Sequence, residues 1–211
     1  MTQRDSPAPA VGVVVLAGGA STRLPGKLEL DAGGLPLVAR VVRNAGTGRE
    51  TVVSVSAASA ARIGALVDAP LAVDRWEACG PLGGLVSALA VLQSPLVFAV
   101  AGDAPFVGTA VIDALTADWK RGDEAVVPVH GEGPAARREP LAALYDRAAL
   151  LAAGERALRE GRYAMHAVLA RLRTRLVPFA DGGVFANVNT AADYASAASS
   201  FASASGKFDR P

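Results

Sequence analysis

Apolar residues in this chain gather into short strand-like runs, separated by longer stretches in which they recur every three or four positions. The runs are 11–16, 51–56, 71–74, 96–101 and 124–130, dominated by Val, Leu and Ala. A run without polar alternation is the mark of a strand buried on both faces. The stretches at 36–45, 59–67, 81–93 and 108–120 carry the helical period. Pro81 stands at a first-turn position and Thr109 where an N-cap is expected. Strands alternating with helices predict βαβ units, hence a three-layer α/β/α sandwich around a mostly parallel, Rossmann-like sheet. Ligands of such sheets collect beyond the carboxyl ends of the strands.

The pattern changes in the last third. A strand is predicted at 141–145, helices at 147–159 and 163–172, and another strand at 174–179. A last helix over 191–204 merges into a small, polar tail at 203–211, where disorder is expected. The polar segment 1–10 is expected to be a flexible N-terminus, leaving 11–202 as one domain.

Charge narrows the function classes. Among 211 residues, 21 are Lys or Arg and 20 are Asp or Glu. No net field draws the chain to nucleic acid or an anionic membrane, so any anion site must be local. The single Cys79 excludes an intramolecular disulfide and any multi-cysteine metal site, which suits a reducing cytoplasm. No apolar run reaches the ~18–20 residues of a membrane span. The first apolar stretch feeds directly into a glycine-rich loop, so it reads as a strand and not a signal peptide.

That loop, Leu16-Ala-Gly-Gly-Ala-Ser-Thr-Arg-Leu-Pro-Gly-Lys27, is the first candidate for chemistry. Small residues at Ala17, Gly18 and Gly19 bring backbone N–H groups close to a phosphate, and Arg23 and Lys27 supply neutralising charge. It is not a Walker A loop, since Ser21 and Leu28 stand where glycine and Ser or Thr are required. Asp103 follows the apolar run 96–101 directly. A carboxylate there either holds Mg²⁺, which takes one or two carboxylates plus phosphate oxygens and water, or serves as a turn residue. Asp74 ends another run and precedes Gly80-Pro-Leu-Gly-Gly84, which reads as a glycine-lined helix start, open to a flat ligand or built for close packing. Asn187 and Asn189 alternate on one face of an extended segment, as ligand contacts or as turn residues. Arg162, Arg171, Arg173 and Arg175 form either a second anion patch or a solvated face. His130 and His166 share no ligand spacing and read as structural or surface residues.

Taken in order, L-A-G-G-x-S-x-R…K, D…G-P-L-x-G, D-x-P-F, R-x-E-P-L-x-A-L-Y and F-x-N-x-N-T resemble the molybdenum cofactor guanylyltransferase family, over roughly residues 11–195. The resemblance implies a nucleotide-diphospho-sugar transferase type of sheet, with a nucleotide half over 11–130 and an acceptor half over 131–202. It implies that Leu16, Ala17, Gly18 and Gly19 contact a guanine nucleotide, that Lys27 with Arg23 binds its phosphates, that Asp74 meets the nucleoside and that Asp103 holds Mg²⁺. Arg138, Asn187 and Asn189 are implied on the molybdopterin side. The interval from Arg23 to Lys27 is shorter than is usual in the family. The implied reaction joins GMP from GTP to molybdopterin and releases pyrophosphate. Its attacking phosphate monoester is already anionic near neutral pH, so no general base is needed. The same resemblance leaves room for transient contact with cofactor-synthesis proteins or molybdoenzymes. Two other readings stay open: a related nucleotidyltransferase using CTP or a cobinamide or sugar phosphate, and a non-catalytic nucleotide-binding module.

Overall fold

Strand β1, Val11–Leu16, lies between β2, Thr51–Val55, and β4, Leu96–Ala101, and is parallel to both. Its neighbours shield it on both edges and helices cover both faces, which is why its sequence needs no polar alternation. The computed structural model describes residues 9–19 and 23–205, with side chains as far as Phe201. Strand β3, Leu71–Val73, extends the parallel set beyond β2. On the other side of β4 comes β7, Ala142–Asp146, which runs antiparallel. Next is β5, Ala125–His130, which pairs antiparallel with β7, with the two-residue β6, Arg137–Arg138, and parallel with β8, Thr174–Pro178. All eight strands thus form one sheet. Six point the same way and β6 and β7 oppose them, so it is mostly parallel.

Alternate residues of each central strand enter opposite cores. Val13, Val15, Phe98 and Val100 pack under α1 (Leu37–Gly46), α2 (Ala60–Gly64) and α4 (Thr109–Asp118). Val14, Val97 and Ala99 pack under α3 (Gly80–Leu89), α5 (Arg147–Arg159) and α6 (Met165–Leu169). This is the three-layer sandwich, and each core is lined by buried apolar side chains.

The structure corrects several expected boundaries. Thr109 is the first helical residue of α4 and not its N-cap, because Gly108 takes the extended cap conformation and makes no side-chain capping bond. Helix α2 stops at Gly64, where a Cβ would lie 3.1 Å from the Leu71 side chain. The helix expected at 163–172 covers only Met165–Leu169. At the other end, 203–205 continue α7, Ala191–Ser205, and are not tail. Residues 206–211 and 1–8 lie outside the described residues, as do Ala20, Ser21 and Thr22 of the glycine-rich loop. Strand β7 belongs to the later part of the chain yet sits inside the sheet between β4 and β5, so the sheet does not part at residue 130.

Candidate active site

Strands β1 and β4 end level with one another, Leu16 opposite Ala101. The Gly102 N–H then donates to the Leu16 carbonyl at 2.9 Å. A Cβ on Gly102 would come equally close, 2.9 Å, to that oxygen, so glycine lets the two loops leave the sheet side by side. One loop carries Lys27 and the other Asp103.

The shortened interval before Lys27 is resolved by local turn chemistry. Pro25 and Gly26 occupy the centre of a β-turn closed by Lys27 N–H on the Leu24 carbonyl at 3.2 Å. Gly26 adopts φ 70°, the left-handed conformation that the third residue of a type II turn requires. Lys27 then begins a short 3-10 turn, Lys27–Glu29. Arg23, upstream, is exposed.

The turn aims the Lys27 ammonium at Asp103, with which it forms an ion pair, and at Asn189, whose Oδ1 accepts from Nζ at 2.8 Å. Only 13% and 14% of the Lys27 and Asp103 side chains remain exposed, so their charges act where water screens them weakly. The three residues come from three separate loops, and one small apolar cluster underlies them all. Leu24, Phe106 and Val188, neighbours of Lys27, Asp103 and Asn189 respectively, pack together with Ala32, Leu37, Ala197 and Phe201. The Val188 N–H also donates to the Asp103 carbonyl at 2.9 Å.

Asn189 is held by the start of α7. The Asp193 carboxylate accepts from the N–H groups of Asn189 and Thr190 at 2.9 and 2.8 Å, and the Thr190 hydroxyl accepts from Asp193 N–H at 3.1 Å. This is a reciprocal capping box. The bonds from Asn189 and Thr190, aided by the charge of Arg23, hold the Asp193 carboxyl below its usual range. Because Val188 points into the apolar cluster, Asn187 and Asn189 both face away from it, as alternation requires. Geometry nevertheless divides the pair expected on the acceptor side. Asn189 reaches Lys27, whereas Asn187 is exposed and makes no side-chain hydrogen bond among the described residues.

A second focus lies at the ends of β2 and β3. The Ser54 hydroxyl donates to Asp74 Oδ1 at 2.7 Å. Burial pushes the Asp74 carboxyl above its usual range, with the Ser54 bond opposing. Two glycines press on this carboxylate. A Cβ on Gly18 would stand 2.7 Å from Asp74 Oδ2, and one on Gly84 would stand 2.2 Å from Ser54 Oγ and 2.9 Å from Asp74 Oδ1. Gly18 and Gly84 are therefore close-approach glycines. A Cβ on Gly19 would meet nothing within 4 Å, so the loop there is open. Leu16 is half-buried and Ala17 buried at the strand end.

Arg138 lies apart from both foci on the exposed β6. Arg162 and Arg171 pair with Glu160, Arg173 with Glu124, and Arg175 with Asp123, so this group has carboxylate partners and reads as structural. Among the described residues no three His, Cys, Asp or Glu side chains converge as a metal cage. Sequence reasoning passed over Ser54 and Asp193, and it singled out Glu139 only as the acidic residue of the R-x-E-P-L motif. Ser54 had a readable signal, a hydroxyl within an apolar strand, and Thr190-Ala-Ala-Asp193 has the spacing of a capping box. No local signal marked Glu139 as a partner of His130.

No helix among the described residues is long and apolar enough to cross a membrane. The chain is 34% identical over 200 residues to a molybdenum cofactor guanylyltransferase of Burkholderia ambifaria, covering 88% of this chain and 94% of that protein. The crystal structure of molybdopterin-guanine dinucleotide biosynthesis protein A from Archaeoglobus fulgidus superposes with a TM-score of 0.75 at 26% identity, over 89% of this chain and 97% of that one. A 2-C-methyl-D-erythritol 4-phosphate cytidylyltransferase from Thermus thermophilus shares the fold, with a TM-score of 0.72 at 19% identity over 91% and 98% of the two chains. The model of the MobA-like NTP transferase domain matches residues 13–201, and with the site assembled at the carboxyl ends of the parallel strands, this chain belongs to that family of nucleotidyltransferases.

Proposed function

We propose that the protein transfers GMP from GTP to the phosphate of molybdopterin, forming the guanine dinucleotide and releasing pyrophosphate. The observation that carries the reading is the meeting of Lys27, Asp103 and Asn189 at the carboxyl edge of β1 and β4. The whole-length likeness to molybdenum cofactor guanylyltransferases supplies the identity of the base and the acceptor. The setting would be the cytoplasm.

A nucleotidyl transfer places negative charge on the leaving pyrophosphate and brings two anions together. Catalysis is therefore mainly positioning and charge neutralisation. In this reading Leu16, Ala17, Gly18 and Gly19 line the nucleotide, whose approach the small residues permit. Asp74 accepts hydrogen bonds from the nucleoside while Ser54 orients its carboxylate. Lys27, assisted by Arg23, leaves its resting partners to bind the β- and γ-phosphates. Arg138 and Asn187 face the molybdopterin. The acceptor monoester supplies its own nucleophile, since its second pKa is ~6. Its oxygen forms the new bond to the α-phosphorus as the bond to pyrophosphate breaks, and no side chain has to remove a proton.

The family's chemistry implies a divalent cation, and the donor set here suits one. Asp103 and Asn189 present hard oxygen atoms to a single cationic point, at present the Lys27 ammonium. Mg²⁺ needs no more protein ligands than these, because it completes its shell with water and phosphate oxygens. Asp103, with Asn189, would hold the ion, which would supply Lewis-acid neutralisation of the α-phosphate.

The test is to incubate the purified protein with Mg²⁺, molybdopterin and each nucleoside triphosphate in turn, and to identify products by mass. Molybdopterin guanine dinucleotide formed from GTP alone is the expected result. The cytosine dinucleotide from CTP would reassign the base. GTP binding without pyrophosphate release would replace the enzyme by a binding module.

A further inference from the structure

We propose that His130 is a positioning residue that sets the acceptor wall, holding Arg138 and Asn187 in fixed relation to one another. The proposal rests on the acceptor reading above and adds a residue to it. His130 ends β5, and its Nε2 lies 2.9 Å from Glu139 Oε1. Its ring stacks on Phe185 at 5.6 Å between centroids and 17° between planes. Phe185 also makes a T-shaped contact with Phe179 at 5.1 Å between centroids. The backbone of Gly182 closes the remaining approach, since a Cβ there would fall 2.3 Å from His130 Nδ1 and 2.8 Å from Cε1. One imidazole thus touches two segments that are separate in sequence.

Each contact sits next to a residue of the acceptor wall. Glu139 follows Arg138, and Phe185 is two residues before Asn187. Strand β6 is only two residues long, pairing Arg138 with Val129 and Arg137 with His130, so its short ladder fixes little by itself. The far end of the segment 185–190 is already tied to the phosphate side through Val188 N–H on Asp103 and Asn189 on Lys27. His130 anchors the near end. A residue that merely filled the core would be sealed, yet the His130 and Glu139 side chains are 19% and 26% exposed at the surface where the acceptor would lie.

Steady-state kinetics of His130→Ala, His130→Phe, Gly182→Ala and the double variant His130→Ala/Gly182→Ala test this, with GTP and molybdopterin varied separately and thermal unfolding measured for each. His130→Ala should raise KM for molybdopterin about tenfold, short of the ~100-fold that a full 1 Å misplacement can cost, and leave KM for GTP within about twofold. His130→Phe keeps the stack and should recover part of the loss. Gly182→Ala drives the ring from its place and should reproduce the defect in the native background, but add nothing once the ring is gone. Parallel rises in both KM values with a lowered Tm would overturn the proposal, as would additive effects in the double variant. Arg138→Ala and Asn187→Ala serve as controls. If neither moves KM for molybdopterin, the acceptor reading fails and takes this inference with it. If both move it and His130→Ala does not, this inference alone fails.

Discussion

Lys27 and Asn189 are 162 positions apart and share a hydrogen bond of 2.8 Å. The bond joins the loop after the first strand to the segment before the last helix. It also makes the Lys27 ammonium the common partner of Asn189 and Asp103.

Removing the lysine should therefore have two consequences. Lys27→Ala deprives the nucleotide phosphates of a cation and leaves the Asp103 carboxylate without its counter-charge in a mostly buried place. GTP affinity, followed by calorimetric titration, should fall at least tenfold, with turnover falling further. Lys27→Arg should restore only part of both, because a planar guanidinium differs in reach and shape from an ammonium. GTP affinity equal to that of the native protein in Lys27→Ala would remove this lysine from the phosphate site.

Asp103→Asn keeps the size of the side chain and discards its charge. The protein should stay folded, as judged by circular dichroism, while turnover drops by orders of magnitude through loss of the metal-holding carboxylate. Activity within a few-fold of the native value would sink the assignment.

Asn187 and Asn189 should separate under mutation. Asn189→Ala breaks the contact with Lys27 and should weaken nucleotide binding, by about ten- to a hundredfold for a lost hydrogen bond to a charged group. Asn187→Ala, exposed and without a side-chain hydrogen bond to Lys27, should spare GTP and weaken molybdopterin binding. Separate titrations with the two ligands check this, and identical profiles for the two variants would contradict it.

Asp74 gives a prediction with a definite sign. Its carboxyl is held above the ordinary value of 3.8, chiefly by burial. The folded protein therefore binds this proton more tightly than the unfolded chain does. The stability it contributes is complete below pH 3.8 and is lost as pH rises through the raised folded value. At neutral pH the charged carboxylate is thus a cost to folding. Asp74→Asn should have a Tm equal to or above the native protein's at pH 7, with the gap closing below pH 4, yet bind GTP less well. A lower Tm at pH 7 would mean that the carboxylate stabilises the fold.

Gly84→Ala should damage that same corner. The new methyl would meet Ser54 Oγ at 2.2 Å inside a packed region, and such overpacking costs about 1–3 kcal/mol. Each kcal/mol lowers Tm by ~2–4 °C for a chain of this size. Thermal unfolding reads the loss, and an unchanged Tm would show that the corner has room to relax.

Much of this protein is determined locally. Val11–Leu16 and Leu96–Ala101 are strands from end to end because they are apolar runs too short for a stable helix and rich in β-branched Val, which a strand covered on both faces buries well. Pro25-Gly26 dictates a turn, and Lys27 and Asp103 follow apolar strands whose carboxyl ends must share one edge of a parallel sheet. Those relations rest on side-chain period and backbone conformation, which neighbouring residues decide. The tertiary structure alone decided which loops meet. It set β7 antiparallel within the sheet, brought Asn189 onto Lys27, and put the His130 ring between Glu139 and Phe185. No local pattern encodes these contacts. They depend on how the later elements pack, as when α7 seats Phe201 and Ala197 against Leu24, Phe106 and Val188 and so draws three distant loops onto one charge.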